Sequence, residues 1–356
     1  MQKTKALFVM TLTLFLNAAY AHTQQETGLG KIKAFFSKNG IDDIQVRKTA
    51  IDALYEVSTD KGTFFIDPEA TYLFSGELKV GNELPDKRSA SMLDDKYFSN
   101  EIYFDSSVSF TEADIRDINR LRMKFRPVSL MQPDPVIRPT PIDGIFEVLE
   151  GRKTMNPRYM SRDGRYELVG ELFDLAGKVN LTEATRSRRR LQYFERNLNF
   201  TSYRKGLITY KPRGGSEHVI VVFTDPDCPF CRKFHGERAQ YAAAGIEIRY
   251  VLVPFKGGRD TSYAALCSPD QNEALDRAFA GMRVVIDEQV ESCMDHYGTV
   301  NPVSSTTSTP IDHYFSLARA IGVKGTPTIL YENGNVENGY VPASQLIKKI
   351  HALTKE

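Results

Sequence analysis

The sequence has no excess of charge of either sign, few cysteines and histidines, and almost no long apolar stretch. Its 46 basic and 45 acidic residues nearly balance, which argues against a nucleic acid or a charged membrane surface as a partner. The six histidines are scattered, and only two of the four cysteines lie close together. A zinc site needs a second close pair of thiols or imidazoles. We therefore expect no metal ion and no cofactor.

One apolar stretch stands out, at the start of the chain. Residues 6–16 are mostly apolar and follow two lysines, and residues 19–21 (Ala-Tyr-Ala) form the small-x-small pattern that signal peptidase reads. No other stretch approaches the roughly 20 apolar residues that cross a bilayer. We predict that residues 1–21 are a signal peptide cleaved after Ala21. The mature protein would then reach an oxidising compartment, where disulfides persist.

The close cysteine pair, Cys228 and Cys231, follows an apolar run that predicts a buried strand. That run is residues 219–223 (Val-Ile-Val-Val-Phe), and Pro229 suits the first turn of a helix. We expect Cys228 at the helix N-cap, where unpaired amides and the helix dipole favour a thiolate. Cysteines three positions apart share a helix face and can close a small disulfide ring. The pair is therefore predicted to be a redox couple in which Cys228 attacks and Cys231 resolves.

The first half of the chain contains an internal repeat. Residues 51–57 (Ile-Asp-Ala-Leu-Tyr-Glu-Val) reappear as 142–148 (Ile-Asp-Gly-Ile-Phe-Glu-Val), and residues 72–78 are echoed by 166–172, at offsets of 91 and 94 residues. Two residues upstream of the first match also recur: Arg47 corresponds to Arg138, and Thr49 to Thr140. Collinear matches at nearly constant spacing indicate a duplicated module. Neither copy carries a catalytic constellation, so we interpret each as a binding or pairing module of one helix and a few short strands.

Two helices are predicted around the second copy. The first begins at Thr111, a suitable N-cap with Asp114 three residues later, and ends near Lys124. The second, from Leu181, is polar and rich in arginine. A basic run such as residues 188–190 can mark a polyanion site, but we interpret it as the solvated face of a linker helix.

A single histidine lies close to the cysteine pair. His235 follows Cys231 by one helical turn. A histidine at this position could tune the redox couple, but we interpret it as a residue on the helix surface.

The C-terminal part alternates strands and helices around the cysteine motif. A second buried strand is predicted at residues 246–253, polar helical sequence at 261–321, and a third strand directly after Thr326-Pro327. Three segments are the most telling: Val222-Phe223-Thr224-Asp225, Gly322-Val323-Lys324-Gly325-Thr326-Pro327 and Asp312-His313-Tyr314. With Cys-Pro-Phe-Cys, they make this part resemble the thioredoxin fold. From about Gly28 to its end, the chain is similar to the DsbC and DsbG family of periplasmic thiol:disulfide interchange proteins.

The resemblance implies the fold class and its division into domains. We expect α+β cystatin-like modules in tandem, followed by an α/β thioredoxin-like domain with a helical insertion. The predicted segments are a first DsbC-type module over residues 22–110, a second over 111–180, a linker helix over 181–206 and a thioredoxin-like catalytic domain over 207–356.

The resemblance also implies roles for residues at the site. Cys228 would be an exposed nucleophile and Cys231 a buried resolving thiol. Pro327 in cis would leave the backbone of Thr326 free to pair with an extended substrate segment. The other two cysteines, Cys267 and Cys293, would form a structural disulfide.

The implied function is a protein disulfide isomerase or reductase in the periplasm. Its partners would be misoxidised exported proteins, a membrane reductase facing the periplasm, and a second copy in a homodimer. A net thiol oxidase, or a client-binding chaperone with incidental thiols, are alternatives. The pair Pro229-Phe230 is closer to the Pro-Tyr of DsbG than to the Gly-Tyr of DsbC, so the redox potential does not carry over.

The doubled module departs from the family pattern. Members carry one copy and form a V-shaped homodimer by pairing it with another chain. Two copies could pair within one chain or build a larger homodimer.

Overall fold

The computed structural model describes residues 27–80, 111–125, 135–150, 155–199, 207–298 and 310–353. The predicted signal peptide lies outside the described residues. The chain divides between Thr185 and Arg186 into two compact units.

The N-terminal unit consists of short strands and two helices that precede α3. Its elements are α1 (residues 27–38), β1 (Gln45–Lys48), β2 (Tyr55–Thr59), β3 (Gly62–Ile66), β4 (Tyr72–Val80), α2 (Glu112–Lys124), β5 (Val136–Pro139), β6 (Ile145–Leu149), β7 (Arg158–Ser161), β8 (Tyr166–Asp174), β9 (Val179–Asn180) and the start of α3 (Leu181–Asn199).

All described strands of this unit form one antiparallel sheet. Their order is β1-β2-β3-β4-β8-β7-β6-β5, with β9 beside β8. Each module copy therefore contributes a meander of four strands. The two meanders meet at β4 and β8, which pair along their full lengths from Tyr72 opposite Asp174 to Val80 opposite Tyr166.

The recurring residues form the same local structure in both copies. The Thr49 hydroxyl accepts from the amide of Ile51 at 3.0 Å and donates to the carbonyl of Leu54 at 3.0 Å. Thr140 makes the same pair of bonds, at 3.2 and 3.0 Å. Equivalent ion pairs join Arg47 to Glu56 and Arg138 to Glu147 across neighbouring strands. The duplication predicted from the sequence is confirmed.

Helix α2 begins as predicted. The Thr111 hydroxyl accepts from the amide of Asp114 at 3.1 Å, and the Asp114 carboxylate accepts from the amide of Thr111 at 2.9 Å. This reciprocal capping box satisfies two amides that the first helical turn leaves unpaired.

The C-terminal unit has a mixed sheet surrounded by helices. Its elements are the rest of α3, β10 (Ile208–Tyr210), β11 (His218–Thr224), α4 (Pro229–Gly236), α5 (Arg238–Ala243), β12 (Ile246–Leu252), α6 (Arg259–Cys267), α7 (Gln271–Phe279), α8 (Glu288–Gly298), α9 (Pro310–Ile321), β13 (Thr328–Leu330), β14 (Val336–Asn338) and α10 (Ala343–Ala352).

The strand order of this unit is β10-β12-β11-β13-β14. The central strand β11 is parallel to β12 and antiparallel to β13. Because helices cover the sheet, β11 is apolar along most of its length and almost entirely buried. Helices α6 to α9 lie between β12 and β13 in the chain and form the predicted helical insertion.

The basic part of α3 is not a solvated face, so that interpretation is wrong. The Ser187 hydroxyl donates to Asn335 at 2.6 Å, and Arg190 donates from Nε to the carbonyl of Ile321 at 3.2 Å. Residues 188–190 are half-buried. Arg190 reaches the carbonyl at the end of α9 because its guanidinium group is carried on a long side chain.

Candidate active site

The cysteine motif lies where the central strand of the C-terminal unit ends. After Thr224, the buried side chain of Asp225 accepts from the amide of Asp227 at 2.9 Å and from the amide of Lys256 at 2.9 Å. The amide of Cys228 donates to the carbonyl of Asp225 at 3.0 Å. Asp225 ends one of the segments that carry the family resemblance, but the sequence alone assigns it no role; an aspartate directly after a buried strand is a recognised turn former. Its side chain fixes the turn that presents Cys228.

Cys228 occupies the N-cap of α4, as predicted. Its backbone is extended, with φ −81° and ψ 121°, and Pro229 takes the first helical position. The sulfur therefore lies beside the free amides of the first helical turn, where a negative charge is stabilised.

The loop before β13 brings Thr326 and Pro327 to the same place. The peptide bond between them is cis. The carbonyl of Thr326 lies 3.3 Å from the sulfur of Cys228 and accepts its hydrogen bond, although 98 positions separate the two residues. Cys228, Cys231 and the Thr326-Pro327 segment thus form one site.

The nucleophile is less accessible than the resemblance implied. Only 3% of the surface of Cys228 is exposed, and Cys231 is fully buried. The expectation of an exposed thiol is therefore wrong. Phe230, between the two cysteines, is instead 61% exposed.

The two thiols differ in acidity. Burial by itself would raise the pKa of Cys228, but hydrogen bonds from the Cys231 amide and the Thr326 side chain outweigh it and leave that pKa below its ordinary value. Burial raises the pKa of Cys231 to about 12. At neutral pH, Cys228 is therefore the thiol that supplies a thiolate.

We expect this difference to appear in the pH dependence of alkylation. The thiolate is the reacting form, so the rate rises with pH up to the thiol pKa and is constant above it. In a Cys231→Ser variant, the rate at which iodoacetamide modifies Cys228 should reach half its maximum below about pH 8.5, the ordinary pKa of cysteine. In a Cys228→Ser variant, Cys231 should remain almost unmodified at that pH. A Cys228 midpoint at or above the ordinary value would contradict the assignment.

His235 is buried, so its interpretation as a surface residue is wrong. It is 3% exposed and stacks on Phe279 at 4.2 Å between ring centres. Its Nε2 lies 2.8 Å from the Asp276 carboxylate and its Nδ1 3.1 Å from the Tyr250 hydroxyl. Burial lowers the pKa of His235 to about 4, so the ring is neutral at physiological pH. It joins the active-site helix α4 to α7 of the helical insertion.

The helical insertion contains a disulfide. Cys267, at the end of α6, is bonded to Cys293 in α8, with their Cα atoms 5.8 Å apart. Cys228 and Cys231 are free thiols. The structure thus has one disulfide, between Cys267 and Cys293, and one pair of free thiols in α4 and its N-cap.

Removing this bridge is expected to destabilise the insertion. The two cysteines are 26 positions apart, and closing a loop of this size stabilises a fold by about 3 kcal/mol. A Cys267→Ser, Cys293→Ser double variant should lose about that much free energy of unfolding, measured by denaturant titration. The single variant Cys293→Ser should lose a similar amount. An unchanged transition would show that the bridge contributes nothing to stability.

Within the described ranges, no cluster of histidine, cysteine and acidic side chains could hold a metal ion. No helix in that part of the chain combines the length and apolar character needed to cross a membrane.

Two family models match the chain. The N-terminal domain of disulfide bond isomerase proteins matches residues 19–79 and 131–183, one segment in each module copy. A thioredoxin-like domain matches residues 204–354. The predicted fold class is confirmed.

Known proteins with similar sequences are thiol:disulfide interchange proteins. DsbC of Escherichia coli K12 is 31% identical over 216 residues, which cover 59% of this chain and 78% of that protein. DsbC of Dickeya dadantii is 29% identical over 222 residues, covering 61% and 80%. The catalytic domain of Proteus mirabilis ScsC is a solved structure 20% identical to this chain, covering 48% and 99%, with a TM-score of 0.35. The chain belongs to the DsbC family and is a thiol:disulfide interchange enzyme.

Proposed function

We propose that the protein is a thiol:disulfide isomerase and reductase, which rearranges wrong disulfides in exported proteins through Cys228. The observation that carries this proposal is the difference between the two thiols. Cys228 has a lowered pKa, whereas Cys231 is fully buried with a pKa of about 12. An isomerase needs one reactive thiolate and a second thiol that reacts slowly.

The first step forms a mixed disulfide. The Cys228 thiolate attacks one sulfur of a client disulfide, forms a bond to it, and releases the other sulfur as a client thiolate. The freed thiolate can then attack another disulfide of the same client. When a client thiolate finally displaces Cys228, the client has a new disulfide pattern and no net oxidation or reduction has taken place.

Cys231 provides the exit from a stalled mixed disulfide. Its sulfur attacks that of Cys228, and its proton passes to the departing client thiolate. The client leaves with two thiols, and the Cys228–Cys231 couple is oxidised by two electrons. Because the pKa of Cys231 is about 12, this exit is slow. A slow exit favours rearrangement of the client over its net reduction.

Client contact involves the segment that covers Cys228. The carbonyl of Thr326 lies next to the reacting sulfur, and its backbone offers an extended client segment a place to pair as an added strand. Phe230, between the two cysteines, presents an exposed ring that stacks on Tyr340 with ring centres 6.4 Å apart. Apolar client segments, exposed when disulfides are wrong, suit such a surface.

The cellular setting of the proposal is the periplasm. The N-terminal pattern supports export with cleavage after Ala21. After each exit through Cys231, two electrons must return to the couple. We assign this step to a membrane reductase that faces the periplasm, and misoxidised exported proteins are the clients.

Two parallel assays test the proposal. The pre-reduced protein is given a client whose disulfides are scrambled, and the pre-oxidised protein is given the same client fully reduced. Recovery of native client with catalytic amounts of the reduced protein is the expected result. Activity in the second assay alone would identify a net oxidase. Suppressed client aggregation without recovery in either assay would identify a chaperone.

A further inference from the structure

The two module copies are related by an approximate two-fold axis through the β4–β8 pair. Gly170 follows Gly76 by 94 residues, the offset between the repeat copies in these strands, and it is also the register partner of Gly76. Only a pair on the axis can be equivalent in the repeat and opposite in the sheet. The axis therefore passes between these two glycines.

Other pairs in the two strands are reciprocal. Phe74 lies opposite Leu172, and Leu78 lies opposite Leu168. Leu168 is the repeat equivalent of Phe74, and Leu172 that of Leu78. The same contact is thus made twice, as in an isologous interface between identical subunits.

Both glycines are needed at the centre of the β4–β8 pair. A Cβ atom on Gly76 would lie 2.2 Å from the carbonyl oxygen of Val169, and one on Gly170 would lie 2.1 Å from that of Ser75. No side chain fits at such distances. The repeated glycine in the two copies is explained by their pairing with each other.

The pairing also closes a shared core. One apolar cluster draws on both copies: Ile51, Leu54, Phe65 and Phe74 from the first, and Ile142, Ile145, Tyr159, Leu168 and Leu172 from the second. The rings of Phe74 and Tyr159 meet edge to face across the join, with centres 5.4 Å apart. A smaller cluster lies beside the helix of each copy. The shared cluster is complete only when both copies are present.

The remaining edges of the sheet are poor pairing surfaces. Strand β1 carries the exposed cations Arg47 and Lys48, and β5 ends with Pro139, which has no amide hydrogen. Lysine and proline at an edge oppose the addition of further strands. Within the described sheet, the edge of β4 that packs over the shared core is therefore already occupied by β8.

We infer that the chain is a single-chain pseudo-dimer, a monomer whose β4 edge is occupied by its own β8. It makes within one chain the isologous join that two copies of one module would make between chains. The covalent connection favours the internal partner, because a tethered partner has an effective concentration of about millimolar. One Cys228 then serves each paired sheet, where a homodimer would have two. This inference does not depend on the proposed isomerase activity.

Mass and crosslinking test the inference together. Light scattering should give the mass of one chain, at most 40.2 kDa, across a wide range of protein concentrations. Glu77 and Val169 are exposed and directly opposite each other. A Glu77→Cys, Val169→Cys variant, made with Cys228→Ser and Cys231→Ser, should form a disulfide within one chain. On a non-reducing gel it should run as a single-chain band with altered mobility.

The matched control carries Glu77→Cys without the second new cysteine and should show no altered single-chain band. A light-scattering mass of two chains would overturn the inference, as would a crosslink that joins two chains only when both new cysteines are present. Either result would agree instead with the homodimer that the resemblance implied. If no crosslink forms, the mass decides alone.

Discussion

Replacing Cys228 with alanine is expected to lower the thiol:disulfide interchange rate roughly 1000-fold or more. Cys231 cannot take over, because a pKa of about 12 leaves only about one thiol in 10⁵ ionised at pH 7. It is also fully buried. The rate of insulin reduction or of scrambled-client recovery measures the effect. Alanine is cysteine without its sulfur and fits in the same space. The circular dichroism spectrum should therefore be unchanged.

The matched variant is Cys231→Ala, which keeps the nucleophile and removes the thiol that resolves the mixed disulfide. It should still attack client disulfides and accumulate mixed disulfides, visible as high-mass bands that a reducing agent removes. Similar losses of rate in both variants, with no trapped species in Cys231→Ala, would contradict the assigned roles. Full activity of Cys228→Ala would exclude Cys228 as the nucleophile.

Replacing Gly76 with alanine is expected to cost the N-terminal unit about 4 kcal/mol or more of its free energy of unfolding. The added Cβ would meet the carbonyl oxygen of Val169 at 2.2 Å. That oxygen belongs to the backbone of β8, so relief requires the two strands to separate. Separation would open the shared core described above. Denaturant titration of the full chain, followed by circular dichroism, should show an earlier transition.

Gly30→Ala is the matched control. Gly30 lies on α1 in the same unit, and a Cβ there meets nothing within 4 Å. Alanine is the better helix former, so this variant should be unchanged or up to about 1 kcal/mol more stable. Equal stability of the Gly76→Ala and wild-type proteins would show that the β4–β8 join relaxes easily.

Features set by neighbouring residues could be predicted from the sequence. The capping box at Thr111 and Asp114 follows from a spacing of three residues. The N-cap position of Cys228 follows from the apolar strand before it and the proline after it. The module repeat was visible because the same turn needs the same residues, as Thr49 and Thr140 show. The domain boundaries and the roles of the site residues stay predictions.

Features that depend on distant residues could not be predicted in this way. Cys228 is covered by a carbonyl that lies 98 positions further along the chain. His235 follows polar residues on α4, and nothing local indicates that Asp276 and Tyr250 enclose it. The sequence of β4 does not indicate whether the modules pair within one chain or between chains, because β4 offers the same edge to either partner. In the described sheet, β8 of the same chain occupies that edge.

Tandem copies allow the two halves of the sheet to diverge, which identical subunits cannot do. Tyr159 has its hydroxyl 2.7 Å from that of Thr182, at the start of α3, whereas its repeat equivalent Phe65 has no hydroxyl. Glu147 accepts a hydrogen bond from Thr185 of α3 at 2.8 Å. In a homodimer, one mutation changes both halves at once. In this chain, selection can adapt the copy that continues into α3 and leave the other copy unaltered.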